Sequence, residues 1–177
     1  SLLSGQFRKY REATVFVFEK GYSFYPLVSA IKAVGGDASH FDIGGDDSIS
    51  FCPLHDLDSD ADQAWAEDWL ITMYKLSGVE ITPDKRAASR SALSLHRRSA
   101  DKTLSDFRHN LQHIELKQAL ERYTIGEYQD SAILDAEKDD FQTSSFNVFE
   151  LEHLMDMGDD MVLPVLTYLF HQIEKKL

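Results

Sequence analysis

Ser144-Ser-Phe-Asn-Val-Phe-Glu-Leu-Glu-His-Leu-Met155, followed after Gly158 by Asp159-Asp-Met-Val-Leu-Pro-Val-Leu-Thr-Tyr-Leu-Phe-His-Gln-Ile-Glu174, decides the class of this chain. Phe146 to Leu151 is a short run rich in β-formers, of the kind buried inside a sheet. The second segment carries Val162, Val165, Leu166, Leu169, Phe170 and Ile173 at three- and four-residue steps, the stripe of a helix lying on a core. Pro164 is tolerable there because it falls in the first turn or so. A buried strand feeding a helix is an α/β unit, and in open α/β folds the carboxyl ends of the strands line the ligand crevice. Glu150 and Glu152 therefore emerge where chemistry is usually placed.

Working outward, the N-terminal zone has the same character. Ala13-Thr-Val-Phe-Val-Phe18 reads as a strand covered on both faces, and Glu19-Lys20-Gly21 ends it. Leu2, Leu3 and Phe7 before it sit at helical spacing. Gly35-Gly36 and Gly44-Gly45 bracket a second strand near Ala38 to Ile43, and Ser48 to Cys52 before Pro53 suggests another. The middle of the chain turns helical. Asp60 is placed to cap a helix striped by Trp65, Trp69, Met73 and Leu76, and Gly78 closes it. Thr82-Pro83-Asp84 supplies the cap, first-turn proline and acid of the next. Thr103 and Asp106 flank a third start, with Leu104, Phe107 and Leu111 on one stripe. Leu116, Ala119, Leu120 and Tyr123 mark a fourth helix. Strand character returns at Ala132-Ile-Leu134. The expected organisation is one structural domain in three stretches: 1–55 as α/β core, 56–124 as a helical insertion, and 125–177 as continuation of the core.

Composition narrows the function. The chain has 177 residues, 43% hydrophobic and 27% charged, which is an ordinary globular balance. A formal net charge of −12 argues against a surface built wholly for nucleic acid, because such binding rests on neutralising phosphates. A single cysteine, Cys52, excludes an internal disulfide and a multi-cysteine zinc site. No run is long and apolar enough to span a bilayer.

Four constellations invite a functional reading. Asp56, Asp58, Asp60, Asp62 and Glu67 fall at positions one, three, five, seven and twelve of an EF-hand loop, but Ala61 stands where the turn needs glycine and no helix enters. Acids gathered at a helix N-terminus explain the pattern better. His109 and His113 have the four-residue spacing of two zinc ligands on one helical face, with no evident third. Cys52 beside Pro53 reads as packing. Between Asp84 and Arg108, seven basic residues stand against three acids. Arg86, Arg90 and Arg97 share a face, which suits either an acidic partner or a solvated helix. The chain holds no Gly-x-x-x-x-Gly-Lys-[Ser/Thr] loop to cradle phosphates and no apolar strand ending in Asp-Glu to hold magnesium. Alone, it should not hydrolyse a nucleotide.

Several segments, in order along nearly the whole chain, carry a likeness: Ala13-Thr-Val-Phe-Val-Phe-Glu-Lys-Gly21, Gly35-Gly36, Phe51-Cys-Pro-Leu54, Ala64-Trp-Ala-Glu-Asp-Trp-Leu70, Leu134-Asp-Ala-Glu-Lys-Asp139 and Phe146-Asn-Val-Phe-Glu-Leu-Glu-His-Leu154 through Pro164 to Glu174. Together they resemble the conjugal-transfer ATPases of the TrbE/CagE class, the type IV secretion ATPases. The resemblance implies an α/β fold that is part of a RecA-like P-loop NTPase core with an all-helical insertion, lying between the phosphate loop and the Asp-Glu strand of the complete domain. It implies ATP and Mg as cofactors of the complete protein, with neither bound tightly by this stretch. Glu19 then takes the family's acidic position after its second strand, and Glu19, Lys20 and Gly21 lie near the nucleotide. Glu19 and Glu150 become the candidate catalytic residues, against the alternative of buried acids that pair or cap a helix. Cys52 departs from the asparagine common at that place. The implied partners are other type IV secretion components and further copies of the protein, at the inner face of the bacterial inner membrane. Direct contact with nucleic acid is left open. A noncatalytic interaction or oligomerisation module of the same machinery is the competing expectation.

Overall fold

A computed structural model describes residues 13–45, 48–124 and 133–176. The stretches holding Leu2, Leu3, Phe7, Gly126 and Ala132 lie outside the described residues. Among the described residues the chain forms a three-stranded parallel sheet and a set of helices, the α/β class expected. It divides into two compact units, one of residues 1–49 and 141–156, the other of residues 50–140 and 157–177.

The first unit contains β1 (Val15–Glu19), α1 (Tyr25–Ala33), β2 (Ala38–Asp42), β3 (Phe146–Glu150) and the short helix α6 (Glu152–Asp156). The strand order is β1-β3-β2, all parallel, so the last strand is inserted between the first two. Register sorts the side chains. Val15, Phe146 and Ala38 are matched across the sheet, then Val17, Val148 and His40, then Glu19, Glu150 and Asp42. Matched residues of a pleated sheet point to one face. That face packs under α1, whose Val28 and Ile31 are buried against Ala38, Phe146 and Val148. Phe18, Phe149 and Phe41 form a row on the opposite face, where Phe149 stacks on Phe18 at 5.0 Å and on Phe41 at 5.1 Å between ring centroids. Of the three strands, β3 alone is buried at every position, as its nearly unbroken apolar sequence requires. Asn147, the polar exception, is satisfied: its amide donates to the Ser144 carbonyl at 2.6 Å and its oxygen accepts from the Ser144 amide at 2.8 Å.

The second unit contains α2 (Asp60–Leu76), α3 (Pro83–His96), α4 (Leu104–Asn110), α5 (Ile114–Ala119), a 3-10 turn at Glu121–Tyr123, and α7 (Asp159–Glu174). Thr82 and Thr103 cap their helices as expected, but α2 is capped by Ser59, whose hydroxyl accepts from the Asp62 amide at 3.0 Å. Asp60 therefore sits inside the first turn, still favourably placed against the helix dipole. Ser48 to Cys52 is not a strand. Phe51 instead exchanges two backbone bonds with the segment around Ile133, donating to the Ile133 carbonyl at 2.7 Å and accepting from the Ala136 amide at 3.1 Å. Ile133 and Leu134 are likewise buried without being strand. Trp69, Tyr74, Tyr168, Phe51, Phe107, Leu70 and Met73 fill the core of this unit.

Pro164 lies inside α7 rather than in its first turn, so it cannot donate to the carbonyl of Asp160 four residues back. The hydroxyl of buried Tyr123 donates to that carbonyl at 2.9 Å, and the Pro164 carbonyl accepts from the Trp69 indole at 3.0 Å. Tyr123→Phe should strand the Asp160 carbonyl and cost about 1 to 2 kcal/mol of unfolding free energy, measured by urea denaturation. An unchanged midpoint would mean that the proline's missing bond needs no substitute.

Candidate functional site

The register that buries the sheet also places its acids. Glu19, Glu150 and Asp42 end their strands side by side, one row of carboxylates along the carboxyl edge of the sheet, with His40 one step inward on the same face. This is the edge at which open α/β folds bind ligands.

Three like charges cannot sit in a row unless each finds partners. Glu150 is fully buried and takes three backbone donors: Gly21 N at 3.1 Å, Tyr22 N at 2.5 Å and Glu152 N at 2.9 Å. The first two converge because the chain after β1 turns through positive φ, 98° at Gly21 and 55° at Tyr22. Such a turn points consecutive amides at one anion. Glycine allows the first of these angles without strain, whereas the second is held at Tyr22 by that residue's own contacts. Glu19 reaches forward to the start of α1. Its carboxylate accepts from the Phe24 amide at 2.9 and 3.0 Å and from the Ser23 hydroxyl, a capping arrangement. Asp42 accepts from the Tyr22 hydroxyl at 2.6 Å and lies 3.2 Å from His153 Nδ1. The bond to Asp42 pushes the Tyr22 phenol up to about 12, and the same carboxylate raises the basicity of His153. Lys20 turns away, its Nζ 4.0 Å from Asp156 and half exposed.

Sequence reasoning brings Glu19, Gly21 and Glu150 to one place and misses Asp42, His40 and Tyr22. Their membership follows from strand register, which no local pattern shows. The one available signal is the Gly44-Gly45 loop directly after β2, where a Cβ on Gly45 would stand 2.1 Å from an Asp42 carboxylate oxygen.

The other constellations resolve into internal contacts of the second unit. The basic face is largely neutralised: Arg86 and Arg90 both bind Glu67, Lys85 binds Glu115 and Arg108 binds Glu121. Arg97 donates to the Asp58 carbonyl, and Lys102 to the carbonyls of His96 and Arg97. In the acidic loop the Lys175 ammonium lies 2.6 Å from Asp56 and 2.8 Å from Asp62, a cation supplied by the chain itself. His109 and His113 do not share a helix, because α4 ends at Asn110 and Leu111 is extended. Cys52 is fully buried, its thiol donates to the Lys102 carbonyl at 3.3 Å, and burial pushes its pKa up to about 12, which leaves it unreactive.

Glu150→Gln keeps the size of the side chain but replaces one acceptor oxygen by a donor facing backbone amides. The exchange should lower the unfolding free energy by about 2 kcal/mol, the scale of charge-assisted bonds lost without replacement. Denaturant titration of the variant checks this, and wild-type stability would show that the three amides do not depend on the charge.

No family model matches the chain. Two curated proteins do. A probable conjugal transfer protein TrbE of Sinorhizobium fredii is 43% identical over 182 residues, covering 100% of this chain and 27% of that protein. The conjugal transfer protein TrbE of Rhizobium radiobacter is 43% identical over 184 residues, covering 100% of this chain and 22% of that protein. The chain thus spans about a quarter of the length of the curated relatives it matches. Among solved structures, VirB4 of Thermoanaerobacter pseudethanolicus superposes with a TM-score of 0.62 over 93% of this chain and 50% of that one. At 14% identity this likeness speaks for the fold alone. Matched from end to end, the chain belongs with the TrbE conjugal transfer proteins, in an α/β fold shared with VirB4.

Proposed function

We propose that this chain is part of an ATP-hydrolysing motor of a bacterial conjugation or type IV secretion system, and that the carboxyl edge of its sheet faces the nucleotide. The observation that carries the reading is the row Glu19, Glu150 and Asp42 at that edge, in a chain aligned throughout with TrbE proteins. ATP would supply the phosphoanhydride bond, and Mg would neutralise charge on its phosphates.

The residues divide the work. Glu19 is only partly buried and keeps acceptor capacity beyond its bonds to Phe24 and Ser23, so it fits a place near magnesium, with Lys20 and Gly21 beside the nucleotide. Glu150 positions these residues rather than touching substrate, because its bonds hold the Gly21-Tyr22 turn against the sheet. The amides of that turn are already taken by Glu150, so they are no cradle for phosphate in this arrangement. The phosphate-binding groups must then come from the rest of the protein. The same reading places the motor at the inner face of the inner membrane, working with other secretion components and with its own copies. Among the described residues no helix is long and apolar enough to cross a membrane.

In the full-length protein, Glu19→Gln should reduce the ATPase turnover number at least tenfold with little change in ATP affinity, while the isolated chain should release no phosphate. Steady-state phosphate release together with equilibrium ATP binding measures both. A wild-type turnover number in the variant would remove Glu19 from the mechanism, and turnover by the isolated chain would contradict the division of labour.

A further inference from the structure

The carboxyl-edge row carries a feature that nucleotide chemistry does not use. His40 lies on the same face of the sheet as Glu19 and Glu150, and one donor atom from each of the three lies within 4.8 Å of the others. The Nε2 atom of His40 is buried and has no hydrogen-bond partner among the described residues. A buried, unsatisfied imidazole nitrogen is costly unless something occupies it. The ring is held in place by Tyr22, stacked at 5.8 Å, and by Tyr25, edge-on at 5.2 Å between centroids.

We infer that Glu19, His40 and Glu150 form a binding site for a divalent transition-metal ion of the zinc class. One imidazole and two carboxylates are a ligand set that suits zinc, whereas magnesium favours oxygen ligands and retains its waters. Both carboxylates are hydrogen-bonded on their outer side, Glu150 by Gly21, Tyr22 and Glu152 and Glu19 by Phe24 and Ser23. That is the outer shell that orients metal ligands. A carboxylate offers about four lone-pair sites, so Glu150 with three amide donors keeps one for a metal. Donors around tetrahedral zinc stand about 3.4 Å apart. Glu150 is fixed by burial, so closure falls to the partly buried Glu19 and His40, by roughly an ångström. Bound there, the ion would join β1, β2 and β3 at their carboxyl ends and offset the charge of the row. The site is independent of the nucleotide reading, because it requires no phosphate.

The test uses the nucleotide-free full-length protein. Zinc chloride is titrated by calorimetry, and cobalt chloride is followed by its visible absorption, which reports imidazole ligation. One ion per protein should bind without ATP. His40→Gln and Glu19→Gln should each weaken zinc at least tenfold and abolish the cobalt band, with unchanged far-ultraviolet circular dichroism. Should His40→Gln fail to fold, Glu19→Gln decides, since its side chain is partly exposed. The inference is overturned if zinc does not bind, if it binds equally to wild type and both variants as an adventitious ion only, or if it binds only once ATP is added. Each of these outcomes leaves the ATPase measurement untouched.

Discussion

A fully buried carboxylate at the end of the central strand, Glu150, organises one end of the sheet. It is held by three backbone amides from two segments far apart in sequence. Gly21 and Tyr22 come from the turn after β1, and Glu152 from the first turn of α6. The turn in that position lets Glu19 reach the start of α1 and brings the Tyr22 hydroxyl onto Asp42. Removing the charge would release the turn, and with it the geometry of the two neighbouring acids. An ion pair in the same place would have fixed less of the backbone, since it would bring one side chain rather than two chain segments to the strand end.

Much of the remaining charge is neutralised inside the fold. Glu67 binds both Arg86 and Arg90, and Lys175 bridges Asp56 and Asp62. A locally basic helix in a strongly acidic chain has the composition of an electrostatic docking surface, but these partners leave little free positive charge on it. What is distinctive lies instead at the sheet edge, where like charges are held in a row by hydrogen bonds from the backbone. Arrangements of this kind mark places where a ligand is expected to act.

Much of this is legible in the sequence. Phe146 to Glu150 and Val15 to Glu19 announce themselves as buried strands by apolar runs, and Thr82 and Thr103 as caps by the residues that follow them. The strand expected at Ser48 to Cys52 does not form because Phe51 finds its backbone partners in a loop rather than a ladder, which composition does not distinguish. The shared helical face of His109 and His113 is lost because no glycine or proline announces the break at Leu111. In the site, Glu19, Gly21 and Glu150 are visible as the residues that end strands. Asp42 and His40 are not, because their membership depends on β2 pairing with β3 in one register, and a shift of one residue would turn both to the opposite face.

Amide hydrogen exchange at Gly21, Tyr22 and Glu152, followed by NMR, tests the clasp directly. If Glu150 holds these amides, they exchange only when the sheet unfolds, as slowly as the amides of β3, and all three accelerate together in Glu150→Gln. Exchange at the rate of open loop amides in the wild-type protein would contradict the account, because the carboxylate would then be buried without the partners on which the arrangement of the edge depends.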